Sequence, residues 1–305
     1  MKTIRTSERP IAFRSLMLAF LSAFLIGAPA LAGDPPTYTF QTVDPPGSTN
    51  TLLVGINDRG EVVGRHRTAD GRYHGFLYDG ESYSILDYPG ADNTFAYHIN
   101  AQGDIVGYFD SGLGAKGFIL GQEGYREVEI EDTYGVIAAE INNRGDIVGL
   151  LFEAACDTCG FVIRKNEVTR IQVPGWSCAF ASGTNDSGDV VGTYWDNPGC
   201  FINPIEDTHG FVLRKGAFTT VDVPGAVYTH LQGINAAGEI VGSYILAGGA
   251  FSSDMHGFHL DGAVYTLIDV PGSSSTGIGG TNARGDIAGW YQDGTGLHGF
   301  IGRRD

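Results

Sequence analysis

Two residues of this 305-residue chain, His98 and Glu140, carry the side chains that acid–base or metal chemistry uses. Each stands one residue before an Ile-Asn step, where four equivalent stretches carry glycine instead: Gly55, Gly183, Gly233 and Gly280. Side chains within reach of each other there would form a proton-transfer pair or supply two ligands to a metal. The alternative is a hydrogen-bonded pair that fills the space beside smaller neighbours.

Aromatic side chains form a second group of candidates. Trp176, Tyr194 and Trp195 lie close to Phe180 in the fourth of the repeated stretches, and His230 follows in the fifth. Rings at a loop mouth stack on sugar rings or anchor a protein partner. The structural alternative is that they cover the edge of the core.

The four cysteines complete the set of reactive groups: Cys156, Cys159, Cys178 and Cys200. In an exported chain an even number of cysteines indicates disulfide bonds. We expect a Cys178–Cys200 bond that fixes a long loop and a Cys156–Cys159 bond that closes a small ring. Four thiolates holding zinc, or a Cys-x-x-Cys redox pair, are the alternatives.

Other polar residues recur too regularly to indicate catalysis. Most repeats carry a histidine (His74, His209, His256, His298) and an aspartate (Asp44, Asp87, Asp222, Asp269), which favours structural roles. Acidic residues also recur, each directly after a glycine, but they lack the closely spaced oxygen ligands of a calcium-binding loop. No Gly-x-Ser-x-Gly, His-Glu-x-x-His or phosphate-loop motif occurs, so the sequence predicts no cofactor and no metal.

The elements that must position these residues are short strands in six repeats. An Asn-x-x-Gly-acidic motif begins at Asn57, Asn100, Asn142, Asn185, Asn235 and Asn282, and a Gly-Phe pair follows each one. Asparagine satisfies turn amides and glycine takes the positive φ that a hairpin needs. A period of 42 to 50 residues built from alternating segments predicts an all-β fold, a six-bladed β-propeller of four-stranded blades.

The two ends of the fold complement each other. Residues 38–44 read as a fourth strand without its first three, and residues 298–301 read as a third strand without its fourth. We expect them to pair and so close the ring, which removes the exposed edge of an open array. In that ring the loops after the second and fourth strands emerge at one end, with the long loops in the third to fifth repeats.

The repeats resemble the bacterial HAF-type extracellular repeat over residues 37 to 302. The likeness is carried by stretches such as His209-Gly210-Phe211-Val212-Leu213 and Gly233-Ile234-Asn235-Ala236-Ala237-Gly238-Glu239-Ile240-Val241-Gly242. Glycine replaces the middle Ala of the family's His-Ala-Phe, and two repeats carry Lys116 and Cys159 in place of His. The resemblance implies a secreted repeat protein and no particular activity.

The first 32 residues have the pattern of a cleaved secretory signal peptide. A basic segment precedes the apolar run Leu16–Ile26, and Ala30-Leu31-Ala32 forms a cleavage site. Cleavage after Ala32 leaves one propeller domain, 33–305, in a secreted or periplasmic protein. The apolar run is too short to span a bilayer, which needs about 20 residues.

The charge excludes some partners. Loss of the leader leaves 34 acidic residues against 15 basic ones, a net charge of −19. Nucleic acid and anionic membrane surfaces both require basic patches, so neither is expected as a partner.

Three functions remain open. The first is an exported binding or interaction module that holds a glycan, a peptide or a surface protein on the long-loop face of the third to fifth repeats. The second is a secreted hydrolase or lyase that uses His98 and Glu140. The third is a structural envelope protein without a small ligand.

Overall fold

A computed structural model describes residues 36–112, 114–153, 157–195, 207–249 and 254–305. All regular structure in these ranges is β-strand. No helix in the same ranges is long and apolar enough to cross a membrane. The predicted signal peptide and its cleavage site lie outside the described residues.

The strands follow the predicted repeats. The first strand, β1, spans Tyr38–Thr42. Repeats 1 to 3 then consist of β2 Asn50–Ile56, β3 Val62–Arg67, β4 Tyr73–Tyr78 and β5 Tyr83–Leu86; β6 Thr94–Ile99, β7 Ile105–Asp110, β8 Ala115–Gly121 and β9 Gly124–Val128; and β10 Gly135–Ile141, β11 Ile147–Glu153, β12 Asp157–Arg164 and β13 Glu167–Ile171. Repeats 4 to 6 consist of β14 Cys178–Thr184, β15 Val190–Trp195, β16 Thr208–Arg214 and β17 Ala217–Val221; β18 Ala226–Ile234, β19 Ile240–Leu246, β20 His256–Asp261 and β21 Val264–Ile268; and β22 Ser275–Thr281, β23 Ile287–Gln292 and β24 Leu297–Arg304.

Within each repeat the successive strands pair antiparallel. Repeats 2 and 3 form separate four-stranded sheets, whereas single parallel pairs link β16 to β18 and β24 to β2. The sixth repeat receives β1 as its outer strand, because β1 pairs antiparallel with β24 from Tyr38↔Arg304 to Thr42↔Phe300. The predicted pairing of the two ends is therefore observed, slightly nearer the C-terminus than expected.

The asparagine of each turn has a role beyond the turn itself. Its Oδ1 accepts the backbone N–H groups two and four residues later, as Asn100 does from Gln102 and Asp104 at 3.0 and 2.9 Å. Its Nδ2 donates to the acidic residue that follows the turn glycine, over 2.7 to 3.5 Å in the six repeats. The turn glycines have φ between +79° and +89°, which explains the residue type.

The same Nδ2 group also joins neighbouring repeats. Along the chain, the Nδ2 of each motif asparagine donates to the backbone carbonyl oxygen of the next one. The five distances are 3.2, 3.4, 3.0, 3.3 and 3.2 Å, from the bond between Asn57 and Asn100 to the bond between Asn235 and Asn282. Asn282 then donates to the carbonyl of Asn57 at 3.1 Å. The six side chains are 3 to 6% exposed. We call this circuit of buried hydrogen bonds the asparagine ring.

The Gly-Phe and Val-Gly motifs pack on each other. All six phenylalanines of the Gly-Phe pairs are fully buried, and each faces a glycine across the strand pair, as Phe118 faces Gly107. That glycine follows Val in five repeats and Ala288 in the sixth. A Cβ on Gly107 would lie 2.9 Å from the Phe118 ring and 2.0 Å from the carbonyl oxygen of Phe95. Glycine is required there because the ring and the neighbouring backbone occupy the space.

The recurring histidines and aspartates pair within their repeats. The Nδ1 atoms of His74, His209, His256 and His298 lie 2.7 to 3.0 Å from Asp87, Asp222, Asp269 and Asp44. Each pair ties the start of a third strand to the end of the fourth. In repeat 2, Lys116 takes the histidine position and pairs with Glu127 at 3.1 Å.

The asparagine ring leads to a prediction about stability. Asn100→Ala removes the acceptor of two backbone N–H groups and the donor to the next repeat, so we expect a loss of about 2 to 4 kcal/mol in the free energy of unfolding. Gln102→Ala is the matched control, because this side chain is exposed in the same turn, and it should change stability by less than about 0.5 kcal/mol. Equal unfolding midpoints for the two variants in urea would contradict the role of the ring.

Candidate functional site

The first strands of all six repeats line a common cavity at the end where the asparagine turns lie. Its volume is about 70 Å³, and its lining includes one residue from each first strand: Ile56, His98, Glu140, Thr184, Ile234 and Thr281. We call it the turn-end cavity. A second, inner cavity of only about 10 Å³ lies on the other side of His98 and Glu140 and is also lined by all six repeats.

The backbones converge at the layer between the two cavities. A Cβ on Gly55 would lie 2.7 Å from the Cα of His98, and one on Gly280 would lie 2.8 Å from the carbonyl oxygen of Val54. Each first strand has a register shift at this point, as between Ala96 and His98. The backbones are therefore crowded in this layer, which consists of four glycines, one imidazole and one carboxyl group.

His98 is held as a neutral ring. Burial lowers the pKa of its imidazole to about 4, against the smaller effects of a hydrogen bond with the Ile141 backbone and the charge of Asp58. Its Nδ1 atom is buried without a hydrogen-bond partner. The ring is therefore uncharged at neutral pH, with one nitrogen left unbonded.

Glu140 is a buried carboxyl group with a raised pKa. Its side chain is 6% exposed, and the backbone N–H of Thr184 donates to Oε1 at 3.1 Å. Burial raises the pKa of this carboxyl group well above its usual value, against the opposing effect of that hydrogen bond. No hydrogen bond or ion pair joins Glu140 to His98 in the described part of the chain. The two side chains share both cavities, but each bonds to the backbone of the next repeat.

The predicted aromatic residues occupy different environments. Tyr194 is 4% exposed and shares a hydrogen bond of 2.7 Å with Thr220, and Trp176 packs edge-on against its ring. Both belong to the core between repeats 3 and 4. Trp195 is also 4% exposed and packs with Cys178 and Phe180. Tyr194 and Trp195 therefore present no exposed ring face.

His230 lies on β18, where it contacts the Phe180 ring with centroids 6.0 Å apart. Tyr228 Oη lies 3.2 Å from its Nδ1, and burial lowers the pKa of the imidazole to about 4. Its Nε2 atom is buried without a partner. This predicted candidate thus has a free polar atom beside an aromatic ring.

The described cysteines are Cys159 and Cys178, each 1% exposed, and neither is a free thiol. Cys156 and Cys200 lie outside the described residues, so the two pairings remain predictions. Among the residues that the structure describes, no three His, Cys, Asp or Glu side chains are placed to hold a metal ion.

The sequence analysis missed a cluster of one arginine and three aromatic side chains. It lies on repeats 1 and 2, toward the long-loop end. The Arg65 guanidinium lies 5.6 Å from the ring centroids of both Phe95 and Tyr97, and Tyr108 stacks on Phe95 at 4.4 Å. Arg65, Tyr97 and Tyr108 are half-buried, so they keep accessible surface. We call these four residues the mouth cluster. Arg65 and Tyr108 each follow a Val-Gly pair, a position that holds a different residue in every repeat.

Comparison with known proteins identifies the fold class. No protein-family model and no curated protein matches the chain. Among solved structures, it is similar to AofleA from Arthrobotrys oligospora, with a TM-score of 0.55 and 11% identity over 90% of this chain and 88% of that one. It is also similar to the Aleuria aurantia lectin, described as a six-bladed β-propeller with a novel fucose recognition mode. That match has a TM-score of 0.52 and 8% identity over 86% of this chain and 93% of the lectin. At such identities the likeness shows the fold alone: the chain is an all-β protein with a β-propeller fold.

The buried carboxyl group of Glu140 gives a pH-dependent prediction. Because its pKa is raised in the folded state, its contribution to stability is complete below the unfolded value of 4.5 and is lost as the pH rises above it. Glu140→Gln does not titrate, so its free energy of unfolding should increase relative to that of the wild type by up to about 1.4 kcal/mol per pH unit above that value.

Glu123→Gln is the control, because this glutamate is exposed, and it should keep wild-type stability at neutral pH within about 0.5 kcal/mol. Denaturant unfolding between pH 4 and pH 8 measures the difference. A constant gap between Glu140→Gln and the wild type would show that Glu140 ionises freely in the folded protein.

Proposed function

We propose that this protein is an exported binding module that holds an uncharged glycan at the long-loop end of its central channel. The mouth cluster is the observation that carries the proposal. The Arg65 guanidinium lies 5.6 Å from the ring centroids of Phe95 and Tyr97. Arg65, Tyr97 and Tyr108 remain partly accessible, and Tyr97 also lines the inner cavity. Ligand sites are typically concave, with aromatic surface and a few directed polar groups.

The chemistry of the cluster favours a sugar. The apolar face of a sugar ring stacks on an aromatic ring, and its hydroxyl oxygens accept hydrogen bonds from a guanidinium group. The chain carries a net charge of −16, which disfavours a polyanionic glycan. A neutral saccharide satisfies both conditions.

The proposal includes the finer architecture and the location. We propose a closed ring of six blades, supported by the β1–β24 pairing and by the hydrogen bond from Asn282 to Asn57. Export through a cleaved signal peptide, the two disulfide bonds and membership of the HAF-type repeats are supported by the sequence patterns described above.

A second candidate function is that of a secreted hydrolase or lyase. It is favoured by one observation: His98, whose pKa burial lowers to about 4, and Glu140, whose pKa burial raises, line the inner cavity together with Ser182 and Gln232. Perturbed acids and bases in a cavity are typical of active sites. The first function takes precedence because the two groups bond separately to the backbone rather than to each other.

The binding function predicts the behaviour of one ring substitution. On a glycan array the protein should bind at least one neutral glycan, and Tyr97→Ala should weaken that binding about tenfold or more, because aromatic contacts dominate binding energies. Tyr134→Ala is the control, since this ring is 62% exposed but lies outside the mouth cluster. Equal affinities for the two variants, or an array without any bound glycan, would contradict the proposal; the second result would favour a structural envelope protein.

The binding function also predicts that the protein does not cleave its ligand. After long incubation with the protein, the glycan found on the array should be recovered intact, as measured by mass spectrometry. Cleavage that stops in Glu140→Gln but continues in Glu123→Gln would instead establish the hydrolase or lyase.

A further inference from the structure

His259 is a buried histidine at a position that is apolar in the other five repeats. It directly follows the phenylalanine of the Gly-Phe pair, where those repeats carry Leu77, Ile119, Val162, Val212 and Ile301. Its side chain is 1% exposed, and neither ring nitrogen has a hydrogen-bond partner in the described part of the chain. Buried polar groups are almost always hydrogen-bonded, so packing alone does not explain this imidazole.

The imidazole faces the interface between repeats 5 and 6, where the two ends of the chain pair. Val241 lies directly opposite His259 across the β19–β20 pair, so the two side chains are on the same face of the sheet. Val241 belongs to the apolar cluster that joins these repeats, together with Ile287 and Phe300, and Tyr38 of β1 packs against that cluster. His259 therefore lies on the side of repeat 5 that meets the strand completing the sixth repeat.

One carboxylate lies between this histidine and β24. Glu239 Oε2 is 3.7 Å from His259 Nε2, which is too long for a hydrogen bond. The same oxygen accepts a hydrogen bond from Asn235 Nδ2 at 2.7 Å, and Oε1 accepts one from Arg304 Nη1 at 2.8 Å. Glu239 thus connects the asparagine ring of repeat 5 to the C-terminal strand, while His259 lies beside it without a bond.

Arg304 is also part of the pairing between the two chain ends. It lies opposite Tyr38 in the β1–β24 register, and its backbone N–H donates to Asp286 Oδ1 at 3.2 Å. The Tyr38 hydroxyl is buried without a hydrogen-bond partner among the described residues. The ion pair between Arg304 and Glu239 therefore ties the two end strands to repeat 5.

Few other ionisable groups surround the imidazole. Within the described residues, the charges that act on it are those of Glu239, Arg304 and Asp261, the exposed last residue of β20. Strand β22 of repeat 6 has no ionisable residue. The tyrosines of β19 and β21 pack on the opposite face of the sheet, in the cluster between repeats 4 and 5: Tyr244 and Tyr265. Burial lowers the pKa of the imidazole, against the opposing effect of the Glu239 charge.

A proton on this imidazole would change the partners of Glu239. An imidazolium has two N–H donors and requires acceptors, and the nearest carboxylate oxygen is already bonded to Asn235. We propose that His259, Glu239 and Arg304 form an acid-sensitive latch, in which protonated His259 takes Glu239 from Arg304 and so loosens β1 and β24 from repeat 5. The latch is independent of the proposed binding function.

Hydrogen exchange of the full chain between pH 7 and pH 5 measures the opening, as the ratio of the intrinsic to the observed exchange rate. Because the pKa of His259 is lowered in the folded protein, the opened state binds the proton more readily and acid favours opening. We expect the protection of β1 to fall by up to about tenfold for each pH unit below 6.5, the ordinary pKa of histidine. The protection of β9, the outer strand of repeat 2, should stay constant.

His259→Leu gives repeat 5 the side chain that repeat 1 has at this position, and β1 should then keep its protection at pH 5. His256→Gln is the matched control, because this histidine lies on the same strand but pairs with Asp269, and it should retain the wild-type pH dependence. Arg304→Gln removes the bond that acid would break, so β1 should be poorly protected already at pH 7.

Three results would overturn the latch. The first is an equal loss of protection in β1 and β9, which would indicate unfolding of the whole domain. The second is a pH dependence that persists in His259→Leu, which would assign it to another group. The third is protection of β1 that is constant or rises toward pH 5, or that Arg304→Gln leaves unchanged at pH 7, since the end strands would then not depend on this ion pair.

Discussion

The asparagine ring is the interaction on which the rest of the structure depends. A four-stranded repeat of about 43 residues buries little surface alone, so it requires its neighbours. The apolar clusters between repeats supply most of that burial, but apolar contact is not directional. Buried amide-to-carbonyl bonds are directional, and six of them set the same spacing between successive first strands.

This constraint explains why the two ends of the molecule differ. At the turn end the Nδ2 and Oδ1 atoms of each asparagine are all engaged, so the motif allows little variation in sequence or length. At the other end, the segments that join the second and third strands are free of this restriction. They include short stretches, such as that between Asp110 and Ala115, and a long one between Trp195 and Thr208. The side chains that differ between repeats therefore face the loop end and the channel wall, where binding surfaces commonly lie on a rigid scaffold.

Much of the architecture could be predicted because the same sequence motifs recur in six repeats. The asparagine and glycine of each turn, the Gly-Phe pair and the complementary chain ends indicated the strands, their order and the β1–β24 pairing. The acidic residue after each turn glycine was interpreted only as an unsuitable calcium ligand, and its hydrogen bond to asparagine Nδ2 was missed. That bond depends on a side-chain geometry that spacing alone does not show.

The candidate site was less predictable for a related reason. Its residues do not recur from repeat to repeat, so a comparison of the repeats does not single them out. Arg65 and Tyr108, for example, occupy equivalent positions but differ in residue type. The sequence indicated that His98 and Glu140 are neighbours, yet their hydrogen bonds run to the Ile141 and Thr184 backbones, which only the packed structure brings near. The burial of Trp195 could not be predicted for the same reason, because it depends on packing against Cys178 and Phe180 from the adjacent strand.

Hydrogen exchange of the asparagine side-chain amides, followed by NMR, tests the central claim most directly. The ring predicts slow exchange for all six Nδ2 groups, with Asn282 as protected as Asn142, because the bond between the last and first repeats is equivalent to the others. Rapid exchange at Asn282 together with protection of the remaining five would mean that the first and last repeats are not joined, and the account of a continuous circuit would be wrong.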